Sequence, residues 1–170
     1  MSMSFAAIQF NMGGLVRDLG LVDDLEITSQ LTGLMVVFMM LGKLFYGGLG
    51  DRLDHRILFW VAYAMASIAL VLVMIADSQN SLIMGIVFLG LGTGGILPLL
   101  ALTISSRFPS ASFGRVMGLS AITIPIGALS PVLAGWSYDS LGTYNYVLGG
   151  LLCVVVPVAL LIKWLPQPNT

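Results

Sequence analysis

Charge is the scarcest commodity in this sequence. Of 170 residues, 9% are Asp, Glu, Lys or Arg, 58% are hydrophobic, and the mean hydropathy is +0.99. Soluble domains carry roughly 25% charged residues. So few charges cannot cover a globule against water, which excludes a soluble enzyme. The basic stripe that nucleic-acid binding requires is missing as well. Cysteine is reduced to Cys153, so an internal disulfide is excluded, and its apolar setting predicts a buried, inert thiol. His55 is the sole histidine and reads as a solvated loop residue. Zinc-type His-Glu-x-x-His pairs, phosphate loops and a Gly-x-Ser-x-Gly elbow are all missing. Gly118-Leu119-Ser120-Ala121 offers a serine, but no intramembrane histidine to serve as its base. The chain therefore reads as no enzyme, with no cofactor and no metal site. Carboxylates and arginines are also missing from the interiors of the apolar runs. No group there is placed to carry a proton or to bind an anion.

Long apolar runs are what the sequence does have. A bilayer core of about 30 Å takes roughly 20 helical residues. The runs predict an all-α, polytopic membrane helix bundle of about six spans, over residues 1–16, 28–48, 56–76, 81–106, 113–138 and 144–165. The first span is short, and the chain reads as starting partway through it. Thr28 and Ser29 are suited to cap the second helix, and Arg17 to Glu26 form an acidic turn before it. Phe59, Trp60 and Tyr63 suit an interfacial aromatic belt. The fourth span carries Gly94, Gly95 and Pro98, and the fifth carries Gly127, Pro131 and Gly135. In lipid such residues let helices pack closely, bend, or serve as hinges. Asp139 and Gly142 predict the turn into the last span, which Pro166 ends.

Between the second and third spans lies Gly47-Gly48-Leu49-Gly50-Asp51-Arg52-Leu53-Asp54-His55-Arg56. Gly47, Leu49, Asp51, Arg52 and Arg56 fall at the spacing of a loop signature, G-x-L-x-D-R-x-G-R-R. The segment resembles that signature of the major facilitator superfamily. Asp54 stands where glycine is usual, and His55 where a basic residue is usual. The Trp136 to Tyr144 segment resembles the end of the family's eleventh helix and the following turn. The resemblance implies the C-terminal six-helix half of a transporter that works by alternating access. It further implies that Asp51, Arg52 and Arg56 form a cytoplasmic gate, with Gly47 and Gly48 letting helices meet there.

Lys and Arg in short loops set orientation. Arg52, Arg56, Arg107, Arg115 and Lys163 fall on one side of the six-span reading, and Arg17 on the other. This predicts a cytoplasmic signature loop, with both termini cytoplasmic, in the plasma (inner) membrane. Polar residues within lipid usually face protein or water. Gln9, Asn11, Thr93, Ser120 and Thr123 are accordingly the candidates to line a pathway. The implied partners are the lipid bilayer, a small-molecule substrate, and an N-terminal six-helix half or a second copy. An organic anion is suggested because the Asp139 to Tyr144 turn resembles monocarboxylate-type carriers. Two other readings stay open: a non-transporting half-size subunit, and a gene remnant acting only through helix association.

Overall fold

The computed structural model describes residues 1–18 and 25–164, apart from the side chains of Asp18, Thr123 and Ile124. Most of the acidic turn falls in 19–24, and Pro166 falls in 165–170, so both lie outside the described residues. The described residues are helical almost throughout. Five helical stretches are long and apolar enough to cross a membrane: 25–50, 55–74, 79–107, 110–141 and 145–164.

The first segment is shorter, and it is broken. Helix α1 (Ser2–Phe10) gives way at Asn11 to α2 (Met12–Asp18). At about 1.5 Å per residue, neither crosses a bilayer core. Met1 packs with Tyr46, Leu58, Ala62 and Leu99, and also lies beside Ile96. Ile96 is eleven residues, about 16 Å, from the helix end at Arg107.

Helix α3 (Leu25–Gly50) begins earlier than the sequence suggested. Thr28 and Ser29 sit inside it rather than capping it, and the Ser29 hydroxyl donates to the Glu26 carbonyl at 2.8 Å. Helix α4 (His55–Met74) is capped by Asp54, whose carboxylate accepts from the Arg56 N–H at 2.9 Å. Ser78 caps α5 (Gln79–Gly94) in the same way, accepting from the Ser81 N–H.

Prolines divide the next two spans. The fourth breaks at Gly95 between α5 and α6 (Ile96–Arg107). Pro98 has no N–H to offer the carbonyl four residues back, at Gly94, and sits in the first turn of α6 where none is needed. The fifth comprises α7 (Ser110–Ala121), α8 (Thr123–Ala128) and α9 (Ser130–Leu141). Pro125 and Pro131 similarly lack the N–H that would bond the carbonyls of Ala121 and Gly127. The Ser130 hydroxyl serves the second, sharing its proton between Gly127 O and Met3 O, each at 2.7 Å.

Gly142 ends α9 with φ +70°, and its N–H bonds Tyr138 O at 2.8 Å. That left-handed conformation favours glycine. Asp139 lies within α9, so the turn is made by Gly142 and by Ser137, whose hydroxyl donates to Thr143 O. Tyr138 and Tyr144 stack across it, 4.7 Å apart. Helix α10 (Asn145–Leu161) then runs into a 3₁₀ turn, Ile162–Trp164. Cys153 is exposed on α10 rather than buried.

The core is built around α5, wedged between α3 and α4. Cβ atoms added at Gly90 and Gly92 would meet Met35 O of α3 at 2.7 Å and Ala62 O of α4 at 2.9 Å. Gly94 meets Met39 O and Gly42, and Gly85 meets Val73. The contacts of Gly90, Gly92 and Gly94 are backbone against backbone, the close approach that small residues permit in lipid, while Gly85 meets a Val73 methyl. By contrast, α7 buries none of its residues, and Leu119, Ile122, Leu129, Val132 and Trp136 along α7–α9 are exposed.

Candidate transport gate and pathway

The loop after α3 is a tight turn. The Arg52 and Leu53 N–H groups both bond Leu49 O, at 3.0 and 2.9 Å, before Asp54 starts α4. At this end of the bundle His55 is half-buried, not solvated. One ring nitrogen, Nε2, lies 3.1 Å from Gly50 O, the last residue of α3. The other, Nδ1, lies 3.4 Å from Arg107 Nη1, at the C-terminus of α6. A neutral ring with its proton on Nε2 satisfies both contacts, donating to the carbonyl and accepting from the guanidinium. Arg107 also reaches Ser106 Oγ and Thr103 O, at 3.4 and 3.5 Å. Asp54 and Arg56 lie close enough to act on its charge. Three helix ends, those of α3, α4 and α6, are thus tied through one imidazole.

Gly50 packs against the end of the Leu102 side chain of α6, which would have to turn aside for any larger residue there. Gly47 and Gly48 have nothing within 4 Å of an added Cβ. The close approach expected at Gly48 is not made within this chain. Asp51 and Arg52 are exposed. Gly47 and Asp51 border a shallow, mostly apolar groove of about 380 Å³, closed on its far side by Pro98, Leu102 and Phe113.

The pathway candidates do not converge. Gln9 is half-buried on α1. Asn11 is committed to the protein: its amide donates to Ala7 O at 2.9 Å and Pro131 O at 3.3 Å, tying the α1 break to α9. Gly135 faces the other side of the same amide, and Gly127 faces Ser2 and Met3. Thr93 and Ser120 bond backward along their own helices, to Leu89 O and Met117 O, both at 2.7 Å. Thr123 opens α8, and its side chain lies outside the described residues. Among the packing candidates, Gly94 and Gly95 are in close contact, Gly95 against the Tyr46 ring, while Gly127 and Gly135 make ordinary van der Waals contacts. Gly50, His55 and Arg107 form the tie that the motif reading passed over.

A buried polar group normally has a hydrogen-bond partner. Two hydroxyls depart from this among the described residues, Ser4 Oγ and Thr103 Oγ1. Neither borders the 380 Å³ groove.

The sequence profile of the Major Facilitator Superfamily matches residues 1–170. The chain belongs to this superfamily. It is an all-α, multi-pass integral membrane protein of a transporter family, not an enzyme family. It is similar to myo-inositol transporter 3C of Cryptococcus neoformans var. grubii, 32% identical over 102 residues, which are 60% of this chain and 17% of that protein. It is similar to the riboflavin transporter RibZ of Clostridioides difficile, 24% identical over 144 residues, 82% of this chain and 32% of the relative. Multidrug resistance protein 3 of Bacillus subtilis is 31% identical over 135 residues, 75% of this chain and 26% of the relative. The chain thus spans about a third or less of these relatives.

Proposed function

We propose that this chain forms one half, the C-terminal one, of a carrier that moves a small organic solute across the plasma membrane by alternating access. The observation that carries the reading is the superfamily match over all 170 residues. The cationic end supports it. Arg52, Arg56 and Arg107 gather at the end formed by the 51–54 loop, while Asp77 precedes α5 and Asp139 lies in the last turn of α9, toward the opposite end. Under the positive-inside rule, the gathered cations face the cytoplasm.

In this reading Asp51 is the latch. It is exposed beside an open groove, with Gly47 and Gly48 clear of neighbours. A helix from a companion half can approach those glycines closely and present its N-terminus to the carboxylate. Such a pairing stabilises by about 0.3–1 kcal/mol, and up to about 2 when partly buried. The tie from His55 to Arg107 and Gly50 makes the loop move with α6, so closure is transmitted to Thr93 across the Gly95 break. Gln9, Thr93 and Ser120 are the polar side chains left to line a pathway that the companion completes, while Asn11 holds α1 in place. With no carboxylate or arginine near the middle of the spans, and Lys43 two turns from the end of α3, the solute is one bound by hydrogen bonds and apolar contact. The relatives named for myo-inositol and riboflavin support such a solute.

The test is uptake by proteoliposomes containing the chain, alone and co-reconstituted with a separately expressed six-helix N-terminal half. Labelled myo-inositol, riboflavin and a small monocarboxylate are the substrates. Uptake of a neutral solute above protein-free vesicles, reduced by Asp51→Asn about two- to fivefold, or up to about thirtyfold if the pairing is partly buried, is the expected outcome. Monocarboxylate uptake alone would move the solute to the anion class. No uptake in either arrangement would leave a non-transporting subunit.

A further inference from the structure

Away from the gate, α4 and α10 enclose a second groove. Trp60, Tyr63, Ala64 and Ser67 line it from α4, and Val156, Ala159 and Leu160 from α10; its volume is about 280 Å³ and its walls are almost wholly apolar. The two helices run antiparallel. On α4, residues 56, 60, 63–64 and 67 recur at helical spacing, so Arg56 heads the stripe that Trp60 continues. On α10 and its 3₁₀ turn, residues 156, 159–160 and 163 do the same, so Lys163 ends the other stripe. Two facing stripes of opposite direction therefore finish in a cation at the same end. The Trp60 indole N–H donates to Ala159 O at 3.1 Å, which fixes the ring as one wall.

We propose that this groove binds one acyl chain of an anionic phospholipid, with the headgroup phosphate held between Lys163 and Arg56. The hydrocarbon requirement comes from the lining. From Trp60 to Ser67 the slot runs about 10 Å along α4, the direction a lipid tail takes from headgroup level toward the bilayer centre. The sign of the headgroup comes from the cations, each of which favours an anionic lipid at a membrane surface by about fivefold. Tryptophan at headgroup depth is in keeping with an interfacial position. A phosphate in solution would find the cations but have nothing to place in the slot, so the occupant is a lipid of the leaflet on the cationic side. The site depends on the bilayer and not on the carrier reading.

Trp60 itself reports on it. In a chain carrying Trp136→Phe and Trp164→Phe, Trp60 is the sole tryptophan. Its fluorescence is followed in vesicles containing acyl-brominated phosphatidylglycerol or acyl-brominated phosphatidylcholine at equal mole fraction. Brominated phosphatidylglycerol is expected to quench at a several-fold lower mole fraction. Adding Lys163→Gln is expected to reduce that preference about fivefold. Ala64→Phe, which fills the slot, is expected to weaken quenching by both lipids while helical circular dichroism is retained. Arg115→Gln, a cation on α7, is expected to change nothing. Equal quenching by the two lipids would overturn the proposal. So would an equal effect of Lys163→Gln and Arg115→Gln, which would mean general enrichment of anionic lipid around the protein. Weak quenching by both lipids in the parent would place a second copy of the chain over the groove, and would overturn it too.

Discussion

Replacing Gly90 with alanine tests whether the α3–α5 seam is packed backbone to backbone. The new methyl would lie 2.7 Å from Met35 O, 3.0 Å from Phe38 Cβ and 3.2 Å from Met39 N. Two of these three atoms belong to the backbone of α3, so no rotamer change relieves the clash and the helix itself must move. Overpacking of this kind costs roughly 1–3 kcal/mol. Against this, alanine is better than glycine in a helix interior by about 1 kcal/mol. The net expectation is a loss of up to about 2 kcal/mol. For a chain of this size that corresponds to about 4–8 °C in Tm, on the scale established for soluble domains. Gly118→Ala is the internal control. Nothing lies within 4 Å of its added methyl, so only the propensity gain remains, and stability should hold or rise. Both variants are measured by thermal unfolding in one detergent, followed by circular dichroism at a helix wavelength. Equal Tm for the two variants, or a Gly90→Ala chain more stable than the parent, would refute the packing argument.

Other outcomes follow from the same contacts. Ser130→Ala removes the hydroxyl that serves Gly127 O and Met3 O, and should cost about 1 kcal/mol in a denaturant titration in mixed micelles. His55→Ala unties Gly50 O from Arg107 and should cost roughly 1–3 kcal/mol, with faster hydrogen exchange at residues 49–53 and 104–107. Exchange unchanged at both segments would show that the imidazole does not couple them. Gly142→Ala puts a side chain on a φ of +70° and should destabilise by about 1–2 kcal/mol in the same titration.

How much of the molecule is legible in its sequence varies by element. The second to sixth spans are readable because an apolar run of about 20 residues, in a chain so poor in charge, is long enough to cross a bilayer as a helix. The glycines of α5 announce close packing, although which neighbour each meets depends on tertiary geometry. Gly90 and Gly94 turn to α3, while Gly92 turns to α4. Breaks at Gly95, Ile122 and Leu129 are only half visible. A proline shows which carbonyl loses its partner, but the chain can answer with a bend or with a full interruption.

The site is less legible. Asp51 and Arg52 stand out by their motif spacing, yet the contact that organises the end of the bundle runs through His55 and Arg107, fifty-two residues apart. A lone loop histidine gives no local sign that a distant helix end will cover it. Gly50 lies within the motif but outside the positions that define its spacing, so its contact with Leu102 has no sequence signature. Asn11 is polar and hence reads as a pathway residue. Its amide is taken by two carbonyls, a distinction polarity cannot make. Cys153 is misread when burial is inferred from an apolar run, because in lipid such a run says nothing about which face points outward.

The sidedness of the 51–54 loop can be measured in intact cells. In a chain with Cys153→Ala, single cysteines are introduced by Asp54→Cys in the loop before α4 and by Asp77→Cys in the turn before α5, and intact cells are treated with a membrane-impermeant maleimide. Position 77 is expected to label from outside, and position 54 only after the cells are opened. Labelling of both positions in intact cells, or of 54 alone, would contradict a cytoplasmic loop.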